Sequence, residues 1–171
     1  MTKLSELTGD YRLDSAGSRI GFVVPTVLVS KVRGQFDDFD GTARLDGDDP
    51  SRSSVKITIQ AKSIQTRNTR RDNHLRKSYL ETADHPAMTF TSTKVEQTDE
   101  THFAVTGDLT IHGDTLPVTV TFELMSADEL RFEGKATINR KDWGVSWFEA
   151  GGFFVGAEVT LELEVAAVRL R

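Results

Sequence analysis

The residues best suited to chemistry are crowded into one short run. Between residues 67 and 77 stand Arg67, Arg70, Arg71, Arg76 and Lys77 against the single carboxylate of Asp72, in a chain of 171 residues whose formal net charge is −5. His74 lies in the same run, and Arg140 with Lys141 adds a second, smaller pair of cations further on. Such a run reads in one of two ways. It is a solvated helix face, or it is a cationic surface that meets an anionic membrane or the head group of an amphiphile, through Arg70, Arg71, His74, Arg76 and Arg140.

Catalytic and metal chemistry find less support. His74, His85, His102 and His112 have neither the i, i+4 spacing nor the alternate spacing that brings two imidazoles to one ion, so no metal site is expected. There is no Gly-x-Ser-x-Gly elbow, no phosphate-cradling glycine loop and no dinucleotide fingerprint. The carboxylate pairs Asp37–Asp38 and Asp48–Asp49 read as bulge and turn residues. A lipid-modifying enzyme using His74 is kept as an alternative. The absence of cysteine excludes disulfides and thiolate chemistry, and the acidic balance argues against a nucleic-acid partner.

The elements that must position these groups are strands. Val118, Val120, Phe122 and Leu124 alternate with Thr119, Thr121 and Glu123, as Val159, Leu161, Leu163 and Val165 do with Thr160, Glu162 and Glu164. Period two means a strand with one wet face. The same rhythm predicts strands over residues 19–25, 32–45, 55–61, 88–95, 103–111, 116–124, 130–139 and 156–168, with a bulge at Asp37 and Asp38 and with Pro25 ending its ladder. So many one-sided strands are best hidden in an all-β, single antiparallel barrel, which also removes exposed edges. Residues 69–80 break the pattern and predict a short helix begun by Asn68 or Thr69, with Leu75, Tyr79 and Leu80 inward. Residues 1–10 are expected as a tail and 11–171 as one domain. Residues 1–11 hold one Lys, two acids and no apolar run, so the expected compartment is the cytoplasm.

Four motifs in order resemble the YceI-like family of lipocalin-like proteins. They are residues 29–36 (VSKVRGQF), residues 63–66 (SIQT) leading to Asp72, His74 and Leu75, residues 107–113 (GDLTIHG) and residues 139–144 (NRKDWG). The resemblance runs from Tyr11 to Val168. It implies an extended eight-stranded barrel with a helical insertion, whose apolar interior binds a long isoprenoid chain of a polyprenyl lipid or quinone. Members are often periplasmic, and related ones are dimers, so a homodimer is a further expectation. The chain departs from its relatives in holding Gly17 and Pro25 where many carry histidine.

By parity, Ile20, Phe22, Phe36, Phe39, Ile57, Ile59, Met88, Phe90, Leu109, Phe122 and Ile138 can line an interior, joined by Leu75 and Leu80 from the helix and by Trp143 and Trp147. A barrel of this strand number is either hollow or packed solid by its own side chains, and parity alone leaves both open. Residues 143–154 (WGVSWFEAGGFF) are either a hairpin whose aromatics fill one barrel end, or an apolar rim, dimer surface or membrane anchor. The expected function is non-catalytic storage or transport of an isoprenoid amphiphile, with no cofactor beyond that bound lipid or quinone. The competing reading is a packed interaction protein without ligand.

Overall fold

The computed structural model describes residues 4–25, 31–145 and 157–170. One antiparallel sheet is built from β1 (Gly9–Leu13), β2 (Arg19–Pro25), β3 (Lys31–Phe36), β4 (Phe39–Leu45), β5 (Ser54–Gln60), β6 (Ile64–Gln65), β7 (Ala87–Gln97), β8 (His102–Ile111), β9 (Asp114–Ser126), β10 (Arg131–Asn139) and β11 (Glu158–Arg169). Their order is β1-β4-β5-β7-β8-β9-β10-β11-β2-β3-β6, and β1 also pairs with β11. That last pairing closes an eight-stranded barrel.

Eleven segments make eight staves because three staves are broken. β2 pairs with Thr160–Glu164 and β1 with Ala167–Arg169 of the same strand, so β1 and β2 are two halves of one stave. Between them Ser18 bridges the turn to Ala166, whose N–H donates to the serine hydroxyl at 2.9 Å. β3 and β4 are likewise divided at Asp37 and Asp38, where the expected bulge is a full break. The backbone N–H of Asp37 turns to Ser63, and the Asp38 carbonyl accepts from Gln60. The parity switch between Phe36 and Phe39 follows from those two extra residues. Pro25 does end β2, opposite Lys31.

The two ends differ. Below the breaks the ring is closed, and Leu7, Tyr11 and Leu130 form a small core there. Residues 4–10 are therefore more than the expected tail: Leu4–Leu7 make a 3₁₀ turn that lies over this end, and Gly9–Leu13 are a strand. Above the breaks the staves splay. β6 pairs only with β3, through two residues, and the β9–β10 ladder stops at Lys135 opposite Thr121. Two non-strand pieces stand in these gaps. One is α1 (Thr69–His74), N-capped by Asn68, whose side chain accepts from the Arg71 N–H at 3.0 Å. It continues as a π turn over Leu75–Tyr79. The other is a 3₁₀ turn, Arg140–Trp143, capped by Asn139 and ended by Gly144 in the left-handed region at φ 70°. The buried Trp143 donates its indole N–H to the Leu109 carbonyl at 2.8 Å, tying that turn to β8.

Candidate ligand-binding site

Parity directs one face of every stave inward, and side-chain volume decides what is left between them. The inward positions include Gly34, Gly107 and Gly134, and each lies under an aromatic ring of a neighbouring strand. A Cβ at Gly34 would stand 2.3 Å from the Phe22 ring, one at Gly107 2.6 Å from Phe90, and one at Gly134 2.5 Å from Phe122. Each ring therefore sits over its glycine, where any other side chain would push it further into the bore. Aromatic cover over a strand glycine is a known way to stabilise such positions. Here it also leaves the bore hollow.

The hollow is a cavity of about 660 Å³, well inside the ~300–1,000 Å³ range of small-molecule sites. Ile20, Phe22, Val24, Val32 and Phe36 line it from β2 and β3, Ile57, Ile59, Met88 and Phe90 from β5 and β7, and Leu109, Val118, Val120, Phe122 and Ile138 from β8 to β10. Val159, Leu161 and Leu163 complete the wall from β11, and Leu75, Leu80 and Trp143 face it from the pieces in the gaps. β11 residues of this face stay partly accessible although they point inward, as expected for a wall around empty space.

Cations meet this apolar bore at its splayed end. Arg71 and Arg140 line the cavity, and among the described residues no carboxylate does. Each guanidinium is anchored. Arg71 donates through Nε to the Thr66 hydroxyl and through Nη2 to the Thr66 carbonyl, both at 2.8 Å. The buried Asp72 carboxylate in turn accepts from the Thr66 N–H at 2.9 Å and from its hydroxyl. Arg140 donates through Nη1 to the Val145 carbonyl at 2.7 Å. Arg71, fixed through Nε and Nη2, presents Nη1 to anything that enters.

A YceI-like domain model matches residues 11–167. The chain belongs to the YceI-like family. A Pseudomonas aeruginosa UPF0312 protein is 34% identical over 173 residues, spanning 95% of this chain and 88% of that one. Protein YceI of Escherichia coli O6:H1 is 36% identical over 151 residues, covering 82% and 78%. Among solved structures, Burkholderia cenocepacia BcnA superposes with a TM-score of 0.84 at 24% identity over 91% of this chain and 99% of that one. A polyisoprenoid-binding domain of Saccharophagus degradans, implicated in plant cell wall breakdown, superposes at 0.72 with 16% identity, covering 94% and 98%. These two likenesses establish the barrel.

Within this YceI-like barrel the expected lining residues separate into those on the wall and those off it. Phe39 is buried in the core but does not border the cavity. Trp147, Phe153 and Phe154 of the aromatic segment, and Val29 and Ser30 of the first motif, fall outside the described residues. Of the basic run, Arg71 alone reaches the cavity. Arg70 is exposed. Arg76 is turned toward the chain, donating to the carbonyls of Lys62 at 2.7 Å and Ile64 at 3.0 Å and to Asn73 Oδ1, which straps the helix to the β5–β6 connection. His74 is half-buried and packs edge-on against Tyr79, with ring centroids 5.8 Å apart.

Sequence reasoning missed Thr66 as the anchor of Arg71. Its signal was weak: the SIQT motif marked the segment, but only the fold reveals a buried threonine beneath a guanidinium. The β9 and β11 valines and leucines carried a clear signal in their alternation. No helix among the described residues is long and apolar enough to cross a membrane, and no group of three or more metal-ligating side chains is found among them.

Proposed function

We propose that this protein is a non-catalytic carrier or store for an isoprenoid amphiphile, a polyprenyl lipid or isoprenoid quinone, with the tail in the barrel and the polar head between Arg71 and Arg140. The observation that carries the reading is an apolar cavity of about 660 Å³ with cations at one end. A dry void of that volume would forfeit about 16 kcal/mol at roughly 24 cal/mol per Å³, as much as the whole ~5–15 kcal/mol net stability of a domain. Water is a poor filler, since it needs polar partners that the bore lacks. A prenyl chain supplies those missing contacts at about 0.8 kcal/mol per buried methylene.

The head group is read from the same wall. Two guanidinium groups and, among the described residues, no carboxylate favour a phosphate or another electron-rich oxygen over a cationic head. Membership of the YceI-like family and the fold shared with a polyisoprenoid-binding domain support the choice of tail. Arg67, Arg70 and Lys77, before, on and after the short helix, are exposed. They suit loading from an anionic membrane surface, where each cation contributes about 1 kcal/mol.

The test is organic extraction of the purified native protein followed by mass spectrometry, against a mock purification. A stoichiometric prenyl lipid or quinone is the expected result. An empty protein that also gains no thermal stability from added prenyl phosphates or quinones would overturn the reading, because a ligand bound to the folded state must raise its stability.

A further inference from the structure

The bore does not end at the main cavity. A second apolar chamber of about 130 Å³ lies at the closed end, walled by residues that include Tyr11, Phe103, Leu130 and Phe132. Two residues, Ile57 and Phe122, belong to the walls of both spaces. Along β11 the change of chamber falls between Leu163 and Val165. This is also the level at which the stave β1/β2 is broken and the β9–β10 ladder is about to stop. The partition therefore stands where the barrel changes from closed to splayed.

Phe122 is held in that plane from both sides. Its ring lies over Gly134, directly opposite in register, and meets the Phe132 ring edge-on with centroids 6.4 Å apart; Phe132 meets Phe103 the same way at 6.2 Å. A ring braced between Gly134 and Phe132 has few rotamers open to it.

We infer that Phe122 is the stop that sets how far a prenyl tail descends, and that the closed-end chamber is a distal subsite a tail enters only when that ring is removed. This rests on the carrier reading above. At about 30 Å³ per water-sized group, the 660 Å³ cavity takes on the order of twenty carbons, or four isoprene units. By the same measure the 130 Å³ chamber takes about one unit more. Removing the ring adds its own volume to that.

The experiment is isothermal titration with farnesyl, geranylgeranyl, hexaprenyl, octaprenyl and undecaprenyl phosphates. For the native protein affinity rises with length and then levels, because units beyond the stop remain in water. Phe122→Ala moves that plateau to tails longer by one to two units, each added unit strengthening binding by at least about tenfold. Gly134→Ala, which pushes the ring inward, moves it to shorter tails. Phe122→Leu serves in place of the alanine variant where the larger deletion prevents folding, with a smaller shift in the same direction. NMR resonances of Phe103 and Phe132 stay unmoved by loading in the native protein and shift in the Phe122 variant. A plateau at one length in all these proteins, with prenyl phosphates binding, overturns the stop; absence of binding by any of them overturns the carrier reading instead.

Discussion

The two ends of this barrel are made from the same alternating strands and hold opposite properties. At the closed end β1 pairs with both β4 and β11 and so joins the two margins of the sheet, and the chain is fastened across it. Tyr11 donates its hydroxyl to the Leu7 carbonyl at 2.8 Å, and Arg169 donates to the carbonyls of Thr8 at 2.9 Å and Glu6 at 2.7 Å while lying over the Tyr11 ring at 5.2 Å. At the splayed end two ladders stop early, and a short helix and a 3₁₀ turn stand in the gaps. One end is built for stability and the other for access. The difference arises from where pairing ceases, because strands of the same alternation run through both ends.

Mutations that separate the ends test this division. The largest expected effect is on stability at the closed end: Tyr11→Ala removes a buried aromatic and should cost about 3–5 kcal/mol, read as a large fall in Tm. Prenyl-phosphate affinity of the folded fraction should stay within a few-fold of native; a parallel collapse of binding would mean that the ends are not independent.

Next is the splayed end, where Arg71→Met should weaken prenyl phosphates by about 1.5–3 kcal/mol, the worth of a charge-assisted hydrogen bond. Uncharged prenols of the same length should bind nearly as before. Equal loss for both would assign Arg71 to holding the helix through Thr66 rather than to the head group.

A smaller effect is expected outside the cavity. Reversing Arg67 and Arg70 to Glu should slow lipid transfer from anionic vesicles by several-fold at low ionic strength and little at high salt, since exposed charges are screened beyond about 10 Å at 0.1 M. Salt-independent transfer in both proteins would remove the membrane from the mechanism.

The smallest concerns the β7–β8 turn at the closed end. Asp99 accepts N–H bonds from Thr101 and His102 and lies 2.8 Å from His102 Nδ1. The Thr101 N–H, followed by the His102 side chain, holds its carboxyl below the usual range. A lowered value in the folded state means that its contribution is present at neutral pH and fades as pH falls through the folded value. Asp99→Asn should therefore lower Tm slightly at neutral pH, and the gap to native should close on acidification. A gap independent of pH would mean that the geometry of the turn, not the charge, is what matters.

Most strands were legible because burial on one face imposes period two on residues near in sequence, and β9 buries Val118, Val120 and Phe122 as that period requires. The helix was legible from its break in the pattern and its Asn68 cap. β1 was missed because five residues give too short an alternation; Tyr11 is buried by Leu130, more than a hundred residues away. β6, at two residues, carries no pattern at all.

The candidate site was half legible for the same reason. Inward parity placed Ile20, Phe22, Ile59, Met88, Leu109 and Ile138 on the wall, while Phe39 has the same parity and lies off it. Arg71 and Arg76 look alike in a basic run, yet one faces the bore and the other is spent on backbone carbonyls of the β5–β6 connection.

The amino-acid sequence by itself determined which residues point inward and that the interior is apolar, since alternation is a property of neighbours along one strand. Whether that interior is hollow, where it is partitioned and which cation faces it were decided by tertiary structure alone. Those outcomes depend on register between strands remote in the chain, which sets Phe22 over Gly34, Phe90 over Gly107 and Phe122 over Gly134, and so leaves open the space that solid packing would have filled.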